Sequence, residues 1–251
     1  MIWEVLHAGL DWPAVAALLV TSFASSLITT AFGIGGGLVM LAVMATLLPP
    51  AVIIPVHGLV QLGSNFGRMA VLLRHVQPAV ILPFLVGAVA GVALGGAFVV
   101  QMDPGVMQIG VGLFVLWSIS FSPPAIMARS AGLAGAVSSF LTMFFGGTGP
   151  FVAAYVKTLG FDRLRHVATL AALMSLQHLL KSLVFGFLGF AFAQWVGLVA
   201  LLIACGFLGT LVGRRILIAI DEKRFRVILN ILLAVVAARL IISGVLSFAR
   251  W

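Results

Sequence analysis

The sequence predicts an all-α polytopic membrane protein, and three observations support this fold class. Hydrophobic residues make up 63% of the 251 residues and charged residues only 8%. A soluble domain usually has about 25% charged residues. The apolar residues form long runs without the alternation that is typical of barrel strands. Two of these runs are too long for one membrane span and are interrupted by glycine clusters.

The net charge of +8 does not indicate a nucleic-acid partner. Lys and Arg lie in short clusters between the apolar runs, which is typical of charges that set membrane topology. No basic stripe interleaved with aromatic residues is present. The single cysteine, Cys205, lies inside an apolar run, so neither a disulfide framework nor a cysteine-based metal site is expected. The N-terminus has no basic region of the kind that precedes a cleaved signal sequence.

Eight apolar segments follow one another along the chain. They comprise residues 14–48, 51–73, 78–101, 105–121, 131–159, 166–189, 192–220 and 227–248. A helix needs about 20 apolar residues to cross the hydrocarbon core, and most of the segments fit that length. The first segment has 35 residues. As one continuous helix it would extend about 52 Å, well beyond the core of a bilayer.

Glycine clusters interrupt the two overlong segments. We call residues 32–37 (FGIGGG) the first elbow and residues 145–150 (FGGTGP) the second elbow. Neighbouring glycines make a continuous helix costly. Each segment is therefore predicted to form two shorter helices joined at its elbow. The second helix of each pair is expected to begin at Leu38 and at Phe151.

The two elbows align at an offset of 113 residues, and the alignment continues beyond them. The same offset places Ser64 on Gln177, Asn65 on His178 and Arg68 on Lys181. Further along the chain, an offset of 118 places Gly91 on Gly209, Gly95 on Gly213 and Asp103 on Asp221. We therefore expect two four-segment membrane repeats, residues 1–121 and 129–251, joined by a linker at 122–128. Internal repeats with discontinuous helices are typical of secondary transporters.

The basic residues distinguish two arrangements of these repeats. If every segment crossed the membrane once, the repeats would be parallel, and Arg74 and Arg129 would face away from the basic loops 157–165 and 214–226. If each elbow instead turns a re-entrant hairpin, all these charges lie on one face. The positive-inside rule makes that face cytoplasmic. The charges therefore favour inverted repeats, each beginning with a glycine-broken, re-entrant helix pair.

The elbows are predicted to bind an anion. A helix N-terminus has unpaired N–H groups and about half a positive charge, and glycines let a ligand approach them closely. The alternative is that the glycines only allow close helix packing. Their matched positions, at the breaks of two overlong segments, favour an anion site. The candidate contacts here are Gly35, Gly36, Gly37, Thr148 and Gly149.

The helix after each elbow contains the polar residues of its repeat. His57, Gln61, Ser64, Asn65 and Arg68 recur at steps of four, three, one and three residues, so they form one helical stripe. Polar groups inside a membrane are costly and usually face a cavity or a partner. Because amide groups can donate to an anion's oxygens, we add four candidates for direct contact: Gln61, Asn65, Gln177 and His178.

The charged and titratable residues of these helices each allow two interpretations. Arg68 and Lys181 either attract the anion electrostatically or extend to the cytoplasmic interface. His57 and His178 can titrate near neutral pH and so couple transport to protons, or they are hydrogen-bonded structural residues. Asp103 and Asp221 are expected to cap helices. No phosphate-binding loop, HExxH, GxSxG or cluster of His, Asp and Glu is present, so we predict no enzyme, no metal and no cofactor.

The two elbows and the duplicated eight-segment layout resemble the sulfite exporter TauE/SafE family. The resemblance covers nearly the entire chain, and the first elbow is its most specific part. It implies a carrier of the bacterial inner membrane that exports sulfite, an organosulfonate such as sulfoacetate, or a related organic anion. Some relatives are associated with uptake, and members of the family differ in substrate.

These observations together predict a secondary transporter that moves a small anion by alternating access. The resemblance makes sulfite or an organosulfonate the favoured substrate and export the favoured direction. The expected partners are the anion, the bilayer and a coupled proton. A carrier of another organic or inorganic anion, and a membrane-embedded assembly factor or enzyme, are the alternatives.

Overall fold

The computed structural model describes residues 6–99, 103–122, 125, 129–216 and 222–248. These residues form helices joined by short turns, and no strand is present among them. The principal helices are α1 (Trp12–Phe32), α2 (Gly36–Leu47), α3 (Pro50–Val71), α4 (Ile81–Val99), α5 (Pro104–Ser120), α6 (Ala131–Phe145), α7 (Gly149–Thr158), α8 (Arg163–Phe187), α9 (Val196–Ile216) and α10 (Glu222–Phe248).

The all-helical membrane fold class is confirmed. Four of the described helical stretches are long and apolar enough to cross a membrane: Trp12–Phe32, Pro78–Val99, Arg163–Phe187 and Phe192–Arg215. Large apolar side chains lie on the outside, and Phe187 is 88% exposed. Hydroxyl, amide and charged side chains of α1, α3, α6 and α8 are buried instead. This distribution suits a protein whose outer surface faces lipid.

Polar caps fix the starts of several helices. The Asp103 carboxylate accepts from the backbone N–H of Gly105 at 2.7 Å, so its predicted role as a cap of α5 is confirmed. Asp162 caps α8 by accepting from the backbone N–H of Arg165, and this bond lowers the pKa of its carboxyl. The equivalent prediction for Asp221 lies outside the described residues.

Each glycine-broken segment forms two helices, as predicted. The second helices begin at Gly36 and Gly149, two residues before the predicted Leu38 and Phe151. Gly36 belongs to the helix because α2 packs closely against α1, where a Cβ on Gly36 would overlap the carbonyl oxygen of Ser25. Ser25 lies well before the end of α1, so the chain turns back on itself at the first elbow.

Glycines at the first elbow make this turn. Gly33 and Gly35 have φ values of 80° and 106°, a region that favours glycine because it has no Cβ. At the second elbow Gly146 has a φ of 76°. Each elbow therefore needs its glycines for backbone conformation as well as for space.

The two predicted repeats pack against each other through equivalent contacts. Helix α1 packs on α9, α4 on α6, α3 on α8 and α5 on α10. A Cβ on Gly91 would overlap the carbonyl oxygen of Ala136, and one on Gly209 would overlap that of Phe23. Ala136 and Phe23 are themselves 113 residues apart. The repeat boundaries, their inverted relation and the re-entrant path through a membrane stay predictions.

Candidate functional site

The antiparallel pair α3 and α8 forms the centre of the candidate site. The rings of His57, in the first half of α3, and His178, in the second half of α8, lie edge to face with centroids 6.0 Å apart. Leu72 at the end of α3 packs on Val167 near the start of α8, so the two helices run in opposite directions. Both elbows lie against this pair. A Cβ on Gly37 would lie 3.5 Å from the side-chain oxygen of Gln61.

The two elbows enclose one cavity with α3 and α8. Its volume is about 40 Å³. One water molecule needs roughly 10–15 Å³ of such cavity volume, so the cavity holds about three water-sized groups. Its walls are formed by Thr29, Gly33, Ile34, Gly35, Gly37, Leu38, His57, Gln61, Asn65, Gly146, Gly147, Gly149, Pro150, Leu170, Met174 and His178.

The α3 and α8 walls of the cavity match at the offset of the predicted repeat. Helix α3 contributes residues 57, 61 and 65, and α8 contributes residues 170, 174 and 178, which lie at the offset of 113. The chemistry of the two walls differs, however. His57 is matched by Leu170, and Gln61 by Met174. The hydrogen-bonding groups are therefore concentrated on α3, with His178 as the polar residue of the α8 wall.

Six of the residues predicted to contact the anion line this cavity, and three do not. The lining residues are Gly35, Gly37, Gln61, Asn65, Gly149 and His178. Gly36 packs on α1 instead, as described above. Thr148 and Gln177 bond to each other, since the Gln177 amide donates to the Thr148 hydroxyl at 2.6 Å. The Gln177 carbonyl oxygen accepts from Ser138 at 3.0 Å, so this residue ties the second elbow to α6 and α8.

His57 connects the two elbows. Its Nε2 lies 3.0 Å from the carbonyl oxygen of Gly37, and because a carbonyl only accepts, Nε2 is the donor. Its Nδ1 is buried without a hydrogen-bond partner among the described residues, and a Cβ on Gly146 would lie 3.3 Å from it. The Nδ1 of His178 is also buried and has no partner within the part of the chain that the structure describes. Two imidazole nitrogens at the cavity are thus available to a ligand.

Arg68 is buried, and each of its three guanidinium nitrogens donates a hydrogen bond. Its side chain is 2% exposed. The guanidinium donates to Thr30 at 2.9 Å, to the Asn65 carbonyl oxygen at 2.9 Å and to Ser64 at 3.2 Å. Held in this way, Asn65 donates its amide to the backbone oxygen of Gln61 at 2.8 Å. Arg68 therefore acts on the cavity wall through Asn65.

Lys181 is also buried, but no hydrogen-bond partner for it lies in the described part of the chain. It is fully enclosed, and its Nζ makes no hydrogen bond among the described residues. It lies one helical turn beyond His178, as Arg68 lies one turn beyond Asn65. Because α3 and α8 are antiparallel, the two cations lie on opposite sides of the cavity.

Several cavity residues were missed by the sequence prediction. Applying the offset of 113 to His57 and Gln61 gives Leu170 and Met174, so the repeat already contained this information. Ile34 and Gly147 are related in the same way. Thr29 was not among the predicted contacts, and its hydroxyl donates to the Ser25 carbonyl oxygen at 2.9 Å.

A helical membrane protein with two glycine-broken helix pairs around a buried polar cavity has the organisation of a secondary transporter. The profile of the sulfite exporter TauE/SafE family matches residues 12–240. The chain therefore belongs to this family of membrane transporters, as the elbows and the segment layout predicted. Comparison with curated proteins and with solved structures gave no match.

Proposed function

We propose that this protein is a secondary carrier that exports a small anion, sulfite or an organosulfonate, across the bacterial inner membrane by alternating access. The basic loops, including Arg74, Arg129, 157–165 and 214–226, then face the cytoplasm. The family gives the general class of substrate.

The observation that best supports this proposal is the meeting of both elbows at one small cavity. Helices α2 and α7 begin there, so the positive ends of two helix dipoles lie beside the same space. Leu38 and Phe151 donate their N–H groups within their own first turns, and Pro150 has none, so the dipoles and the glycine N–H groups are what the elbows offer an anion. An anion stabilises such an arrangement, whereas a cation does not. The size of the cavity suits a substrate of a few heavy atoms.

The polar wall of α3 supplies the remaining contacts in this proposal. Gln61 lines this wall with its side-chain amide, and His178 completes the opposite wall. The Asn65 amide, which donates to the Gln61 backbone oxygen in this structure, turns to the anion's oxygens when the anion binds. Gly35, Gly37 and Gly149 leave the space that the anion occupies. Gly36, Thr148 and Gln177 support these walls without contacting the substrate.

Proton coupling through His57 and His178 is part of the proposal. Both Nδ1 atoms are unpartnered at the cavity, where a proton bound to either ring lies beside the anion. A proton that travels with the anion reduces the charge moved through the membrane. Flux should then respond to a pH gradient.

Sulfite flux in proteoliposomes tests the proposal. Wild-type protein is compared with Gly149→Leu, which fills the cavity, and with Gly186→Leu, which places the same side chain on an exposed part of α8. We expect saturable flux that is lost in Gly149→Leu and retained in Gly186→Leu. A pH gradient should change the wild-type rate.

Two results would contradict the proposal. Absence of flux of sulfite, sulfonates and other small anions from folded wild-type protein would exclude a carrier of this class. Equal flux in wild type and Gly149→Leu would place the substrate outside the elbow cavity.

A further inference from the structure

Lys181 is a buried amine that no acidic side chain pairs with among the described residues. Its side chain is fully enclosed between α8 and α3, where a Cβ on Gly58 would lie 2.8 Å from its Cε. The acidic side chains that the structure describes, Asp11, Asp103 and Asp162, serve as caps at helix starts. An isolated ammonium in a low-dielectric interior is costly unless something pairs with it. In the described part of the chain, no protein group does so.

Other unpartnered polar atoms surround this amine. In the part of the chain that the structure describes, the buried Ser182 hydroxyl has no hydrogen-bond partner, and it lies against Gly58 together with Lys181. Two further atoms without a partner among the described residues are close by: the Nδ1 of His57, which precedes Gly58 on α3, and the Nδ1 of His178, which lies one turn before Lys181 on α8. Buried polar groups in folded proteins are normally hydrogen-bonded, so a cluster of exceptions requires an explanation.

Arg68 shows that the fold can provide hydrogen-bond acceptors for a basic side chain at the equivalent position of the other predicted repeat. Arg68 and Lys181 are related by the offset of 113 and occupy the same position in their helices. Arg68 has three hydrogen-bond acceptors, whereas Lys181 has none among the described residues. The difference between them is therefore a property of the residues around Lys181.

We propose that Lys181 and Ser182 form a second binding position for the transported oxyanion, on the other side of the His57–His178 pair from the elbow cavity. This inference rests on the proposed function. The ammonium and the hydroxyl together offer four donors, which suit the several oxygens of sulfite or a sulfonate group. The bound anion supplies the charge that the ammonium lacks.

The second position lies on a short route from the first. His178 lines the elbow cavity and Lys181 follows one turn later on the same face of α8. Gly58 follows His57 directly on α3. An anion that leaves the elbows along the α3–α8 contact therefore passes the two imidazoles and reaches the ammonium, once the packing of these helices loosens.

The first experiment compares Lys181→Met with Arg68→Met. Sulfite flux at saturating concentration and the thermal unfolding midpoint of the substrate-free protein are measured for each variant. Lys181→Met should keep or raise the midpoint, because an unpaired charge is replaced by an apolar side chain of similar length. Its flux should fall about tenfold or more, the effect expected when a charged hydrogen bond is lost. Arg68→Met should instead lower the midpoint.

The possible outcomes separate this inference from the proposed function. Absence of wild-type flux contradicts the proposed function itself. If the wild type transports sulfite and Lys181→Met transports it equally fast, only the second position is contradicted. The second position is also contradicted if the unfolding midpoint of Lys181→Met falls as far as that of Arg68→Met, or if Lys181→Met does not fold. Ser182→Ala, which removes one donor, should lower flux in the same direction by a smaller factor.

A labelling measurement tests occupancy directly. Proteoliposomes are treated with a small amine acylating reagent in the presence and absence of methanesulfonate, and acylation is quantified by mass spectrometry. Methanesulfonate should protect Lys181, while the exposed Lys157 is acylated equally in both samples. Acylation of Lys181 without protection, or no acylation of Lys181 under any condition, would overturn the inference.

Discussion

His57 donates its Nε2–H to the carbonyl oxygen of Gly37 over 3.0 Å, and this bond joins the polar wall of α3 to the first elbow. The carbonyl belongs to the first turn of α2 and faces the buried His57. The bond therefore fixes the position of the elbow relative to the residues that line the cavity with it.

Replacement of this histidine should destabilise the protein. His57→Leu removes the imidazole donor from the Gly37 carbonyl oxygen, which keeps only its helical partner in α2, and this loss should cost about 0.5–1.5 kcal/mol. Thermal unfolding in detergent measures the effect. Met174→Leu, a conservative change in the opposite wall, should have little effect. Equal midpoints for His57→Leu and wild type would show that the bond does not hold the elbow.

The first elbow also allows its binding and packing glycines to be separated. A Cβ on Gly37 has ordinary contact distance to Gln61 and projects into the cavity, whereas a Cβ on Gly36 overlaps the backbone of α1. Gly37→Ala should therefore remain folded and lose apparent affinity for sulfite by about tenfold, the effect of one misplaced methyl group in a close-fitting site. Gly36→Ala should lose stability.

Concentration-dependent flux and unfolding midpoints, measured on the same preparations, check this pair. If Gly37→Ala bound sulfite as wild type does, the anion would not lie against the first elbow. If Gly36→Ala were as stable as wild type, the close contact with Ser25 would not contribute to the fold.

Arg68 provides a test of directional hydrogen bonding. Its three donors reach Thr30, Ser64 and Asn65 from different nitrogens of one planar group. Arg68→Lys keeps the charge but cannot reproduce this geometry. We expect a loss of about 1–3 kcal/mol of stability and a lower sulfite flux, because Asn65 loses the partner that orients it. Arg74→Lys, in an exposed turn, is the matched control and should change neither the stability nor the sulfite flux.

Local sequence features were sufficient to predict the helices and the elbows. Hydropathy runs and glycine clusters act within a few residues, and the stripe formed by His57, Gln61 and Asn65 follows from helical periodicity alone. The same periodicity placed these side chains on one face, where the structure shows them lining the cavity. The start of α2 was displaced by two residues because tertiary packing, rather than helix propensity, keeps Gly36 in the helix. Helix α7 also begins two residues early, at Gly149, with Pro150 in its first turn, where the fixed φ of proline suits a helix.

The roles of Thr148 and Gln177 could not be predicted in this way. Both are buried polar residues close to an elbow, which is also the pattern expected of ligand contacts. Their mutual hydrogen bond depends on how α6, α7 and α8 pack, and sequence spacing does not contain that information. The difference between the satisfied Arg68 and the unpartnered Lys181 has the same origin.

The glycine contacts between the two predicted repeats give the last prediction. Gly91→Ala and Gly209→Ala each place a methyl group against a backbone carbonyl of a neighbouring helix, so both should destabilise the protein by about 1–3 kcal/mol. Gly132→Ala is the control, because its Cβ would lie 3.5 Å from the Pro83 carbonyl oxygen, an ordinary contact. Similar losses at Gly91 and Gly209, measured by thermal unfolding, would support equivalent packing in the two repeats. A large loss at one position and none at the other would argue against that equivalence.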